Sequence, residues 1–316
     1  MKRTGLIAAL LTTSLLLPTH IAAADPSPTT GIELNVGTHN MVGEAVEYNP
    51  AEANTIGLAS LKELRRTMWQ ANPKFQGNAY DHYPAGTRLR DAAAAAGITT
   101  LEQYLDVHTS EALNRIAIQR AFEASAHYDH VRPDGSSYTT AHFGTPIHYG
   151  ESLAAGHNDL HSAITIGWGK GELKALNANG GRWAHNTGHL IQMIDPRNTY
   201  YGFGAVEVFG RDGKTYKGKR FAGLASRQQD IVLPETPDTG KQVVWMYRAP
   251  KTIGGQGESV TGLREGTPKI VRPAPITGGT TIPGSSGNLI TILGAIATIL
   301  SLLGAIASFA QQFAPR

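Results

Sequence analysis

The chain has 316 residues, 41% of them hydrophobic and 17% charged, and a formal charge of +3. Taking Lys2 and Arg3, in a segment expected to be removed, from the 28 basic residues leaves 26 against 25 acidic ones, a balance of +1. That balance, with no Lys/Arg stripe, excludes nucleic acid as an expected partner. The chain has no cysteine, so no disulfide framework, and an exported protein of this kind must rely on its core and sheet for stability.

Residues 1–24 read as a secretory signal peptide. Lys2 and Arg3 form a basic start, 6–17 an apolar run, and Ala22-Ala23-Ala24 a small-residue exit before Asp25. Residues 25–48 show no sustained period and are expected to be loose or weakly strand-like. From Pro50 the spacing of Ile56, Leu58, Leu61, Leu64 and Met68 predicts an amphipathic helix with Lys and Arg between its apolar positions, stopped at Asn72-Pro73. His82 lies in an aromatic-rich loop. Residues 88–96 are helical up to Gly97, and together these pieces make 25–98 a largely helical N-terminal extension.

Thr99-Thr100-Leu101-Glu102 reads as a capping box with the Thr99 hydroxyl on the amide three residues on. Leu113, Ile116, Ala117, Ala121 and Ala124 place one apolar face on a helix over 110–126, with Arg115, Arg120 and Glu123 on its outer face. The helix should deliver His130 to a turn, and Arg132-Pro133-Asp134-Gly135 has the residues of a type I turn. Asn158 is the expected N-cap of a further helix that buries Leu160, Ala163, Ile164 and Trp168. Gly167-Trp168-Gly169-Lys170-Gly171 follows a helix and lacks the last glycine of a dinucleotide fingerprint, so its glycines read as helix punctuation.

After His189 the period becomes two. Strands are expected over 200–209 and 219–227 with a turn at Asp212-Gly213, and a third over 242–248. An antiparallel sheet covered by the preceding helices is the natural outcome. Residues 249–288 are a Gly/Pro/Thr-rich linker. Residues 289–310 carry no charge over 22 positions, about 33 Å of helix against a hydrocarbon core of about 30 Å, and read as a transmembrane anchor. A stripe of Gly294, Ala297, Ser301, Gly304 and Ser308 favours self-association of that helix. The expected location is the cell surface: secreted by the signal peptide, retained by the anchor.

Eight histidines fall between His127 and His189. His185 and His189 have the spacing of a helical zinc pair, but the glutamate of a metalloprotease motif is absent. His157, His161 and His185 read as solvated surface positions. His130-x-Arg132-Pro133-Asp134-Gly135, Gly150-Glu151, Trp168, Gly188-His189-x-x-Gln192-Met193 and Gly202-x-Gly204, in that order, resemble the CAP superfamily of cysteine-rich secretory proteins, antigen 5 and pathogenesis-related 1. The resemblance covers about 99–209, extends plausibly to 248, and makes 99–248 a CAP-like domain. It implies an α/β fold, an α-β-α sandwich with a central antiparallel sheet, here with an N-terminal helical extension and a C-terminal apolar helix.

The resemblance also implies a groove lined by two His and two Glu that in some members binds a divalent metal. His130, Glu151 and His189 match three of those positions, although Ser152 stands where the family has Asn after the glutamate. The fourth family glutamate falls three residues after the tryptophan, where this chain has Gly171; Glu172 comes one step later. Such a set suits Zn²⁺ or another divalent metal. Three readings stand side by side. One is a non-catalytic module binding a metal and a lipid, other apolar small molecule, or host or envelope component. Another is a metal-dependent hydrolase of envelope or host polymers. The third is an adhesion protein with a vestigial groove.

Overall fold

The computed structural model describes residues 32–270, apart from 38, 79–81, 144–148, 211–214, 230–231 and 256. Its elements in chain order are β1 (Val42–Tyr48), a π-helical turn (Ala53–Gly57) running into α1 (Leu58–Ala71), α2 (Leu89–Ala95), α3 (Leu101–Tyr104), β2 (His108–Thr109) and α4 (Glu111–Ala126). Then come β3 (Gly150–Ala155), α5 (Leu160–Ser162), a π-helix (Ala163–Lys170), α6 (Gly171–Ala178), α7 (Gly188–Ile194), β4 (Tyr200–Phe209), β5 (Thr215–Ser226) and β6 (Gln242–Arg248).

The strands form one mixed helix-and-sheet architecture in the order β3-β5-β4-β1-β6, with every neighbour antiparallel. Short β2 runs parallel to the start of β4, pairing His108 with Tyr200 and Thr109 with Tyr201, on the stretch that β1 leaves uncovered. The strands expected from the two-residue period, β4 and β6, have the expected bounds, and β5 begins four residues earlier, at Thr215. The turn expected at Asp212-Gly213 lies outside the described residues.

Up to Tyr48, where the chain is expected to be loose or weakly strand-like, residues 42–48 form the full strand β1. It is an interior strand between β4 and β6, buried on both faces, and a strand covered on both sides loses the alternation that would reveal it. The segment read as an N-terminal extension therefore shares one sheet and core with residues 99–248. Leu61, Leu64, Met68, Leu89 and Ala92 pack with Trp168, Leu190, Ile191 and Phe203 on one face of the sheet. Each of the Leu, Ile, Met and Phe side chains contributes about 1.5–3 kcal/mol when fully buried.

The opposite face belongs to α4. Along β4, Tyr201 and Phe203 point to the first core, while Gly202, Gly204, Val206 and Val208 point to α4. A Cβ on Gly202 would lie 2.2 Å from the carbonyl carbon of Leu113, and one on Gly204 2.4 Å from that of Ala117. Only hydrogen fits there, so helix and strand backbones touch. Leu113, Ile116, Ala117 and Ala121 then close a second core with Val46, Val208, Leu224 and Met246.

Helix α4 is buried nearly all round, which overturns the placing of Arg120 and Glu123 on an outer face: both are fully buried. Periodicity missed this because the two charges neutralise each other inside. Two caps also move by one residue. Thr100, not Thr99, accepts the Gln103 amide (3.2 Å), with Gln103 returning to the Thr99 and Thr100 amides. Asp159, not Asn158, caps α5 by accepting the Ser162 amide (2.7 Å).

The first part of the expected linker is fastened to the sheet. Arg248 binds Glu258 (2.6 Å), Thr261 bridges Met41 and Gly43, and the Arg264 amide donates to the Tyr247 hydroxyl (2.8 Å). The expected signal peptide and the 289–310 anchor lie outside the described residues, among which no helix is long and apolar enough to cross a membrane.

Candidate functional site

The four residues singled out in the sequence form two separate His–carboxylate pairs. In the first, His130 Nδ1 meets Glu151 Oε2 at 2.7 Å. The His130 side chain is 52% exposed and that of Glu151 is wholly buried. The ring is placed by the expected turn. The Gly135 amide donates to the Arg132 carbonyl (2.9 Å) and Gly135 sits at φ 88°, a conformation that glycine adopts without strain. Tyr138 packs edge-on against the imidazole, 6.1 Å between ring centres, and is itself tied to Tyr149 by reciprocal hydroxyl-to-carbonyl bonds.

Behind Glu151 runs a buried chain of charges. Arg120 donates from Nε to Glu151 Oε1 (2.6 Å) and from Nη1 to Glu123 Oε2 (2.6 Å). Arg132 grips the other side of Glu123 (2.6 Å from Nη2) and reaches the Leu34 carbonyl (2.7 Å). Two guanidiniums thus balance two carboxylates. Burial alone would raise the Glu123 carboxyl, but Arg132 and Arg120 together outweigh it and hold it below the usual carboxylate range. Burial would likewise lower Arg120, and Glu151 and Glu123 outweigh it to raise the guanidinium instead.

The second pair depends on the glycine-rich run. Gly167, Gly169 and Gly171 lie in or just after the helical stretch Ala163–Lys170, and Gly169, with a non-helical backbone at φ −110°, ψ −107°, kinks it as expected of helix punctuation. A Cβ would lie 2.5 Å from the His157 ring at Gly167 and 2.6 Å from Leu64 Cδ1 at Gly169. Trp168 is buried between them, donating to the Leu153 carbonyl (3.0 Å). Glu172 follows in the first turn of α6. One of its oxygens meets His189 Nδ1 (2.8 Å) and the other accepts the Leu190 amide (2.9 Å). An acidic side chain from α6 thereby covers one of the open amides at the start of α7.

Helix α7 is held along its length. Gln192 donates to the carbonyls of Gly150 and Gly223 (both 3.1 Å) and accepts from the Ser152 hydroxyl (3.0 Å), sewing α7 to β3 and β5. At its far end the fully buried Arg65 donates to the carbonyls of Met193 (3.1 Å), Asp195 (2.8 Å) and Asn198 (2.9 Å), and Tyr104 to that of Ile194 (2.7 Å). The Tyr201 hydroxyl also touches Arg65 and is pushed up to about 12, chiefly by burial.

Among the described residues no group of three or more His, Asp or Glu is placed to hold one metal ion. Each carboxylate oxygen of Glu151 and Glu172 faces a side-chain or backbone nitrogen. What each pair offers is the Nε2 of its imidazole, the atom left over when Nδ1 faces a carboxylate, and that atom suits a cation or a polar ligand.

Of the other histidines, His161 and His185 are exposed as expected, His161 meeting Ser60 Oγ at 3.0 Å. His157 is not solvated: it is half-buried against Phe221, and burial lowers its imidazole. His82 is exposed, and His148 lies outside the described residues. Sequence reasoning missed Arg120, Arg132 and Arg65 as parts of the site's frame. The pairing of Arg120 with Glu123 at a helical spacing of three was the available sign. No protein-family model and no curated protein matches this chain.

Proposed function

We propose that this chain is an exported, membrane-anchored surface protein with a CAP-like domain, acting as a binding module through the imidazoles of His130 and His189. The observation that carries the reading is the pair of Nδ1–carboxylate contacts, 2.7 Å at His130 and 2.8 Å at His189, which leave the Nε2 of each ring on the side away from its carboxylate, in side chains 52% and 30% exposed. The α-β-α sandwich implied by the resemblance is supported by helices on both faces of the sheet. The displaced glutamate is supported too. The chain is kinked at Gly169, just after Trp168, where the backbone is not helical, so helical spacing from the tryptophan does not fix which residue faces His189, and Glu172 meets its ring at 2.8 Å.

A divalent metal such as Zn²⁺ would be held by imidazole nitrogen, with Glu151 and Glu172 behind the rings as orienting groups rather than as ligands. When bound it would attract an oxygen-bearing group of the ligand, here read as a lipid, another apolar small molecule, or a host or envelope component. Calorimetric zinc titration of the full chain tests this beside His130→Ala and His189→Ala. Heat in the wild type and a weaker response in both variants is expected; equal heats from all three would sink the metal reading. Turnover of peptide, glycan or ester substrates by the wild type alone would move the assignment to a hydrolase.

A further inference from the structure

We propose that Arg120 is the positioning residue of the His130 pair, fixing both the tautomer of that imidazole and the direction of its Nε2. The inference rests on the reading of His130 as a ligand-contacting residue, and it deepens that reading by naming what sets the ring. Arg120 touches the pair at two independent points. Its Nε donates to Glu151 Oε1 (2.6 Å) and its Nη2 to the other Glu151 oxygen (3.4 Å). The same Nη2 donates to the carbonyl of Asp129 (2.9 Å), the residue before His130. One rigid, planar fork thus holds the carboxylate that faces the ring and the backbone from which the ring hangs.

The fork itself cannot rotate. Glu123 takes its Nη1 (2.6 Å) and is locked in turn by Arg132 and by Gln119 (2.9 Å). Stability does not account for such a chain, because buried ion pairs are often matched or exceeded by apolar side chains of similar volume. Direction does account for it. A guanidinium only donates, so both oxygens of Glu151 act as acceptors. The His130 Nδ1 facing that carboxylate therefore carries the proton, and Nε2 is left unprotonated in a side chain that is 52% exposed. The other pair is built differently: among the described residues Glu172 receives no guanidinium, and its second oxygen is satisfied by the Leu190 amide. Arg120 therefore acts on His130 and leaves His189 alone.

The test is two-bond ¹H–¹⁵N NMR of the full chain with ¹⁵N-labelled histidine at pH 8, for the wild type, Arg120→Met and Arg120→Lys, with His130→Gln to assign the resonance. His130 is expected as a single Nδ1–H tautomer in the wild type and as a mixture of tautomers in Arg120→Met. The His189 signals should not move. Arg120→Lys keeps the charge but reaches only one of the two anchors, and should lie between. Zinc affinity in Arg120→Met should fall about 10–100-fold, the usual cost of losing an outer-sphere partner. A wild type that takes up no zinc would defeat the metal reading while the tautomer measurement still decides this one. A tautomer mixture in the wild type, or a wild-type His130 signature in folded Arg120→Met, overturns the proposal. Should Arg120→Met fail to fold, a wild-type signature in Arg120→Lys overturns it equally.

Discussion

Glu172 holds His189 and the helix that carries it with one carboxylate: one oxygen meets the imidazole Nδ1 at 2.8 Å and the other accepts the amide of Leu190 at 2.9 Å. Orientation of the ring and capping of α7 are therefore a single interaction. Replacing Glu172 by Gln keeps the shape but leaves no second carboxylate oxygen for both contacts. Zinc affinity is expected to drop about 10–100-fold, as for loss of an outer-sphere carboxylate. Stability should fall by about 0.5–2 kcal/mol, the usual range for a lost helix cap. Calorimetry and urea unfolding read the two effects separately; unchanged zinc affinity would show that the pair does not act at a metal.

Gly204 and Ala117 are where sheet and α4 make backbone contact. In Gly204→Ala the added Cβ would sit 2.4 Å from the Ala117 carbonyl carbon, and neither backbone can yield as a flexible side chain would. A loss of about 1–3 kcal/mol is expected from overpacking, and more if α4 lifts off. The urea midpoint should fall with the slope unchanged, and a wild-type midpoint would mean that the contact is looser than 2.4 Å implies.

Acid should weaken the protein through Glu123. Its carboxyl is held below the usual carboxylate range in the fold, so the unfolded chain binds the proton first as pH falls. The stabilisation is complete above the unfolded value, near 4.3 in model peptides, and is lost as pH drops through the lower folded value. In Glu123→Gln this acid dependence should flatten. Stability near neutrality should also fall, by about 3–5 kcal/mol, because Arg120 and Arg132 lose their shared partner. Urea midpoints from pH 7 to pH 3 give both quantities in one series.

His157 adds a smaller dependence at higher pH. Burial lowers its imidazole in the fold, so below the ordinary value of about 6.5 the unfolded chain takes up a proton that the folded one refuses. Stability is thus greatest above that value and declines as pH falls toward the folded one. His157→Leu should remove this slope below the ordinary imidazole value of about 6.5. A slope of equal steepness in the variant would assign the effect to another group.

Arg65→Met tests the frame behind α7. The methionine fills similar space but abandons the carbonyls of Met193, Tyr104, Asp195 and Asn198. Unmet buried acceptors cost about 1–3 kcal/mol each before relaxation, so a loss of at least about 3 kcal/mol is expected in thermal or urea unfolding. Hydrogen exchange should also quicken in residues 188–194 ahead of the sheet.

Much of the fold was legible from local pattern. The strands over 200–209 and 242–248 follow from a two-residue period, the helix over 110–126 from its apolar spacing, and the 132–135 turn from Pro and Gly in their usual places. His130, Glu151, His189 and Glu172 are singled out by the resemblance of their motifs to the CAP superfamily, not by composition or periodicity. What sequence could not decide was which partner each would meet. Strand β1 was hidden because both its faces are covered, and Arg120, Arg132 and Arg65 because a charge inside a core looks like a charge at the surface until its partner arrives from elsewhere in the chain. The position of Glu172 depended on the kink at Gly169, where the backbone leaves helical geometry and spacing from Trp168 no longer fixes a face. Sequence by itself determined the parts and the chemistry they carry. Only the tertiary structure joined Glu151 to His130 and Glu172 to His189, because pairing across 21 and 17 residues is set by packing, and packing is a property of the whole chain.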